Sequence, residues 1–188
     1  MSLLHPLLSS RWSPTVFDDS AAIDADGVEA LLEAARWAPS AGNSQPWAFI
    51  VGVRGSEEHD RLVSRLAGSS SGWAPTAALL VANLSHRYVE GTDWEYSEFS
   101  LYDLGQAVAH MTLQARSMGL YVRQFRAFDR GGIEADFGVP DHWEVCTMSA
   151  IGHLPLEIAQ DGDVVRTDRR PVTDLHWPEA AKDSRSGH

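Results

Sequence analysis

A chain of 188 residues with 44% hydrophobic side chains has the size and apolar content of one domain with a real core, which argues against wholesale disorder. Its formal net charge of −11 argues against nucleic acid and anionic membrane surfaces as partners, and any anionic ligand needs its own locally gathered positive pocket. The single cysteine, Cys146, permits no intrachain disulfide. Residues 1–8 lack a basic n-region, and no segment reaches transmembrane length, so a soluble cytoplasmic protein is expected.

In chain order, residues 2–9 read as a short apolar helix and 10–23 as an irregular segment. A helix is expected from about Asp26. Asp26 and Glu29 have the spacing of an acidic capping box, Val28, Leu31, Leu32 and Ala35 form one buried face, and Pro39 stops it. Residues 38–47 then run Ala-Pro-Ser-Ala-Gly-Asn-Ser-Gln-Pro-Trp. A plain connection needs one or two turn residues. Small residues and amides framed by prolines instead let a backbone approach a flat polar ligand.

Residues 47–53 form a nearly continuous apolar run that suits a strand buried on both faces. Residues 56–67 read as helix, 77–84 as a second buried strand, and 85–95 as a polar loop. A long helix over about 97–118 ends at Gly119, a C′ glycine. Residues 120–130 read as irregular, 132–137 as a short helix closed by Gly138 and Pro140, and 143–151 as a third strand. The polar tail, 153–188, is expected to wrap over a surface, with 175–188 flexible or wrapping a partner. Without repeats or a linker, residues 1–188 form a single domain, and strands alternating with helices suggest a sheet layered with helices.

Chemistry is sparse. No Gly-x-Gly-x-x-Gly follows a strand and no P-loop occurs, so neither nucleotide motif is supported. No two of the eight histidines lie three to five residues apart, so no metal centre is expected. Residues 68–72, Gly-Ser-Ser-Ser-Gly, match a nucleophile elbow formally but lack the strand before it, and read as a flexible loop. Cys146, mid-strand, reads as a small buried hydrophobe. The seven tryptophans read as core or interface residues. Arg11 and Ser13 near the start, and Arg166, Arg169 and Arg170 near the end, are candidate anion ligands, because the guanidinium fork binds bidentately.

Together these segments resemble the FMN-dependent nitroreductase family over nearly the whole chain. Residues 10–18, Ser-Arg-Trp-Ser-Pro-Thr-Val-Phe-Asp, are similar to its N-terminal Arg-x-Ser-x-x-x-Phe segment. Residues 34–47 resemble its most recognisable stretch, and Asp103-Leu104-Gly105-Gln106-Ala107 its long central helix. Residues 124–129 fall where the family has a flavin-contacting loop, Ile151-Gly152-His153 resembles its last core strand, and Arg169-Arg170-Pro171-Val172 its basic C-terminal segment.

The resemblance implies an α+β fold: a mixed, mainly antiparallel sheet wrapped by helices, in an intertwined homodimer with FMN at the interface. It implies that Arg11, Ser13 and Arg169, helped by Arg170, hold the FMN phosphate, with Trp12 and Thr15 in the same segment. Pro39, Ser40, Ala41, Gly42 and Asn43 would come from the partner subunit and pack along the flavin ring. Gln124, Phe125 and Arg126 would lie on the ring's other side. NADH or NADPH would reduce the flavin, which would then reduce a nitroaromatic, quinone or similar acceptor in a ping-pong cycle with no catalytic protein side chain. The alternatives are a flavoenzyme with a narrower reaction, such as heterocycle dehydrogenation or flavin fragmentation, and a flavin-binding protein with little turnover.

Two departures stand out. Thr15 occupies a position where many relatives carry Lys or Arg, and Arg126-Ala127 replaces a small residue and Gly. Arg126 or Arg123 is a candidate to supply the missing charge. The 85–95 loop, with Trp94 and Tyr96, is a candidate acceptor lid, shorter than the lids of relatives that dehalogenate iodotyrosine.

Overall fold

Strand β2 (Leu79–His86) is buried along nearly its whole length, and the sheet is built outward from it. In a computed structural model that describes residues 3–160 and 168–177, four strands take the order β1-β2-β4-β3. The others are β1 (Trp47–Val53), β3 (Tyr121–Phe125) and β4 (Trp143–Gly152), and every pairing is antiparallel. The helices are α1 (Pro6–Ser9), α2 (Ala25–Arg36), α3 (Glu57–Ser64), α4 (Gly68–Ser71), α5 (Ser100–Ser117), α6 (Arg130–Phe137) and α7 (Leu156–Gln160). The α+β class and the mainly antiparallel sheet are as expected.

Alternation along β2 makes two cores. Leu79 and Val81 meet Leu31 and Ala35 of α2 and Ala107, Met111 and Ala115 of α5. Leu80, Ala82 and Leu84 point the other way, against Phe17, Leu62 of α3 and Ile133 of α6. Each fully buried aliphatic side chain contributes roughly 1.5–3 kcal/mol of transfer free energy. Across the second core Arg65 donates from Nε and Nη2 to the Asp136 carboxylate, at 2.6 and 2.7 Å, tying α3 to α6.

Several expectations need correction. Residues 121–125 are a strand, not irregular chain. Val122 is buried, but Arg123 and Gln124 give the segment a polar look that hid its pairing with β4. The apolar run at 47–53 is not buried on both faces. It is the edge strand β1, half-buried with Val53 37% exposed. The true cap of α2 is Asp24, whose Oδ1 accepts the Gly27 N–H at 2.8 Å, and Asp26 lies in the first turn. The first helix is one turn, Pro6–Ser9, and residues 68–71 form a helical turn rather than a flexible loop.

One glycine is dictated by packing. A Cβ at Gly52 would lie 2.7 Å from the His59 Cα, so α3 approaches β1 this closely only because position 52 has no side chain. Among the described residues no helix is long and apolar enough to cross a membrane.

Candidate functional site

Helix α5, strand β3 and the N-terminal segment together line a cavity of about 410 Å³. Leu8, Ala109, Leu113 and Val122 supply apolar wall, and Arg11, Ser13, Thr112 and Gln124 supply the polar groups. Val122 and Gln124 share a face of β3 because side chains alternate along a strand. Thr112 Oγ1 donates to the Val108 carbonyl at 2.7 Å and accepts from Gln124 Nε2 at 3.3 Å, which aligns the two across the helix–strand gap. Arg11 Nη1 donates to Ser13 Oγ at 3.3 Å. One cation and two hydroxyls beside apolar wall suit a flat ligand that carries an anionic group.

The segment bearing Arg11 and Ser13 is held by side chains from behind. Arg123 Nη1 donates to the Ser13 carbonyl at 2.8 Å, and Arg116 Nη2 to Ser10 Oγ at 3.4 Å. Trp12 meets Tyr121 edge-on, with ring centroids 5.8 Å apart.

The 38–47 loop is built differently. A short 3₁₀ turn, Ala41–Asn43, places Gly42, Asn43 and Gln45 at φ of 58°, 56° and 49°. For the two non-glycine residues this left-handed backbone costs about 1–2 kcal/mol each. Besides main-chain bonds such as Asn43 N–H to the Ser40 carbonyl, three bonds that involve side chains fix it. The Ala41 N–H donates to Asp103 Oδ2 at 3.0 Å, the Gln45 N–H to Ser40 Oγ at 3.0 Å, and Gln45 Nε2 to the Asn43 carbonyl at 3.2 Å. Asp103 is only 2% exposed, whereas Pro39, Ala41, Gly42 and Asn43 are exposed.

None of these loop residues lines the Arg11 cavity. Asp103 lies near the start of α5 and Thr112 nine residues further, a rise of about 13 Å. The loop and the Arg11 cavity therefore lie apart within one chain, at different levels of one helix.

The remaining candidates are placed as follows. Phe125 turns to the opposite face of β3 and packs edge-on against Trp73 at 5.0 Å. Arg126 is exposed, with its guanidinium 5.0 Å from the Phe128 ring centroid. Thr15 is exposed. Arg169 and Arg170 lie in the exposed stretch 168–177, outside the cavity wall, and Arg166 lies outside the described residues. Sequence reading passed over Thr112, Arg116 and the anchoring role of Asp103. For Asp103 a signal existed: it shares the buried stripe of α5 with Ala107 and Met111 at four-residue spacing.

The loop after β2 is pinned at its base. His86 stacks between Tyr96 and Trp143, with centroids 3.9 and 4.8 Å away. Burial, and then the neighbouring His142, lower its pKa. Ser70 of the formal elbow is fully buried, its hydroxyl bonded to the carbonyls of Ala67 and Ala127. Cys146 falls in the register shift between β2 and β4, and burial pushes its thiol up, away from nucleophile chemistry. Among the described residues no group of His, Cys, Asp and Glu could hold a metal ion.

The model of the Nitroreductase family matches residues 8–82, a span that includes both residues 10–17 and the 38–47 loop. An uncharacterised 15.4 kDa protein of Mycolicibacterium smegmatis is 31% identical over 149 residues, covering 74% of this chain and 97% of that protein. A Streptomyces coelicolor protein provisionally named an NADH dehydrogenase/NAD(P)H nitroreductase is 28% identical over 149 residues, 70% of this chain and 73% of its own length. Among solved structures, one described as an oxidoreductase containing FMN superposes with a TM-score of 0.84 at 27% identity, covering 96% of this chain and 93% of that one. A nitroreductase-like structure from Exiguobacterium sibiricum, at 18% identity and a TM-score of 0.76 over 92% of this chain and 95% of its own, shares the fold. With the fold, the family match and these relatives in agreement, the chain belongs to the nitroreductase family.

Proposed function

We propose that this protein is a homodimeric, FMN-dependent oxidoreductase that takes hydride from NADH or NADPH and delivers it to a nitroaromatic, quinone or similar electron-poor acceptor, in alternating half-reactions at one site. The observation that carries this reading is the cavity over α5 and β3, which combines Arg11, Ser13, Thr112 and Gln124 with an apolar trough. Its volume of about 410 Å³ suits a cofactor-sized ligand. FMN asks for a cation and hydroxyl donors at its phosphate and for apolar surface beside its ring, and the donor set fits.

In this reading Arg11 and Ser13 bind the phosphate, and Arg169 and Arg170 join them from the C-terminal stretch. Gln124 and Arg126 flank the ring, with Trp12, Thr15 and Phe125 shaping the segments around it. Pro39, Ser40, Ala41, Gly42 and Asn43 reach the ring of the other subunit, because their own chain holds them away from its cavity. When bound, FMN supplies the hydride-transferring centre. The protein's residues orient it, present N–H donors to its polar edge and leave one face open. No protein nucleophile is required, in keeping with the buried Ser70 and the half-buried Cys146, whose thiol pKa is raised.

Dimerisation is supported by apolar surface in a row. Leu101, Tyr102, Gly105 and Ala109 lie on the exposed side of α5, and Trp37 at the end of α2 is 71% exposed. A helix apolar on both sides is normally covered on both. A reducing, cytoplasmic setting goes with the single cysteine.

The test is an absorbance spectrum of the purified protein after incubation with FMN, followed by anaerobic titration with NADH and NADPH and then with acceptor. A yellow protein that bleaches with nicotinamide and recolours with acceptor is expected. Protein that stays colourless overturns the proposal. A second reading, a flavin carrier with little turnover, is favoured by Thr15, which brings no charge to the ring. It predicts FMN binding with nicotinamide oxidation at background.

A further inference from the structure

Residues 10–17 carry Arg11 and Ser13 yet have little secondary structure to hold them. Among the described residues, the last backbone bond of α1 is Ser10 N–H to the Pro6 carbonyl, and the next is Asp18 N–H to the His153 carbonyl. Between them the segment is held by two arginines on different rigid elements. Arg116, in the last turn of α5, donates to Ser10 Oγ and, at 3.0 Å, to the Leu120 carbonyl. Its guanidinium lies 3.9 Å from the Tyr121 ring centroid. Arg123, on β3, donates to the Ser13 carbonyl and lies 5.3 Å from the Trp73 ring centroid. One clamp precedes Arg11 in the chain and the other follows it.

The pair also lies outside the ion pairs of the fold. The chain carries 26 acidic and 15 basic residues other than histidine, and Arg36, Arg65, Arg87 and Arg130 each sit within 4.0 Å of a carboxylate. Among the described residues neither Arg116 nor Arg123 has such a carboxylate, and the Nε of each is buried without a hydrogen-bond partner. An acidic protein that leaves two guanidinium groups unneutralised beside one short segment keeps a positive field there. The groups donate to a hydroxyl and carbonyls, so they spend their hydrogen bonds on position and leave their charge for a ligand.

We infer that Arg116 and Arg123 are positioning residues for the anionic end of the cavity's ligand. They fix residues 10–13 so that Arg11 and Ser13 face the cavity, and their charge adds to that of Arg11. The inference rests on the FMN reading and deepens it, since it assigns the phosphate end to a preorganised clamp rather than to Arg11 alone. Arg123 has the larger role, because its bond fixes the main chain at Ser13 itself. Lysine cannot replace it fully: an ammonium keeps the charge but lacks the planar fork that reaches the carbonyl while lying on Trp73.

Binding of FMN and of riboflavin, which lacks the phosphate, tests this. Dissociation constants for both are measured by flavin fluorescence at two ionic strengths, on the full-length protein and on R123Q, R123K and R116Q. R123Q is expected to weaken FMN binding by roughly tenfold or more, equivalent to about 1.4 kcal/mol, and to leave riboflavin within about threefold. The salt dependence of FMN binding should shrink in R123Q and persist in R123K, with FMN affinity in R123K between the two. R116Q should show the same pattern at smaller amplitude. Equal losses for both flavins, or none for either, overturn the inference. Riboflavin binding also reports folding, and variants that fail to fold at both positions overturn it by making the pair structural. If the unsubstituted protein binds neither flavin, the FMN reading itself fails. If it binds FMN and the variants bind it equally well, only the clamp fails.

Discussion

Two irregular segments of this protein carry its candidate chemistry, and they are held in place in opposite ways. Residues 10–17 have almost no backbone bonding and are positioned by Arg116, Arg123 and the Trp12–Tyr121 contact. Residues 38–47 store left-handed backbone at Gly42, Asn43 and Gln45 and are fixed chiefly through main-chain N–H groups, one of them bonded to buried Asp103. The difference follows from what each would meet. A phosphate is recognised by charged side chains, whose direction must be set from outside. The edge of a flat ring is recognised by close backbone, which must itself be bent and kept bent.

The comparison can be broken most directly at Arg11. Arg11→Ala removes a charge-assisted contact worth about 1.5–3 kcal/mol, so FMN affinity should fall by roughly 10- to 100-fold while riboflavin affinity holds. Equal binding of FMN by the variant and the original protein, in the same titration, would remove Arg11 from the site.

Asp103→Ala probes the other region. It leaves the Ala41 N–H without its carboxylate and opens space beside α5, which should cost about 1–3 kcal/mol in denaturant unfolding. FMN and riboflavin should weaken together, in contrast to Arg11→Ala, because this loop is assigned to the ring and not the phosphate. Selective loss of FMN alone would contradict that assignment.

Gly42→Ala tests the stored strain by itself. A Cβ at Gly42 meets nothing within 4 Å, so the only penalty is the φ of 58°. A loss of about 1 kcal/mol is expected in thermal unfolding, and an unchanged midpoint would mean that the loop relaxes freely.

The smallest effect serves as a control remote from both segments. His59 of α3 is 4% exposed, and burial lowers its pKa despite the opposing pull of Asp60. The unfolded chain therefore binds this proton more readily than the native one. Its contribution to stability is present above the ordinary histidine pKa of about 6.5 and is lost as pH falls below it. His59→Gln should flatten the stability profile on the acid side, and should leave the ratio of FMN to riboflavin affinity unchanged.

Much of the candidate site could be proposed from sequence because its residues are unusual where they stand. The small and amide residues between a helix and a strand, and Arg11 with Ser13 in a segment without periodicity, mark themselves. The arginines behind them do not. Arg116 looks like a helix-end charge and Arg123 like a solvent-facing residue, and only the fold turns both toward residues 10–13. Strand β3 escaped notice for a related reason: its adjacent polar residues Arg123 and Gln124, one on each face, interrupt the apolar pattern, and both are used by the tertiary structure. The cap of α2 moved from Asp26 to Asp24 because several acidic residues there compete for the same N–H groups, and backbone entry geometry chooses among them.

The amino-acid sequence alone determined the family, the helices with strong apolar periodicity, the buried strand β2 and the two segments of unusual chemistry. Those are properties of short windows, governed by side-chain volume, polarity and backbone preference. Tertiary structure decided the strand order, the edge position of β1, the face of β3 that meets the cavity, and the separation of that cavity from the 38–47 loop along α5. Each of these depends on partners tens of residues away, and packing selects them by burying one face and leaving the other open.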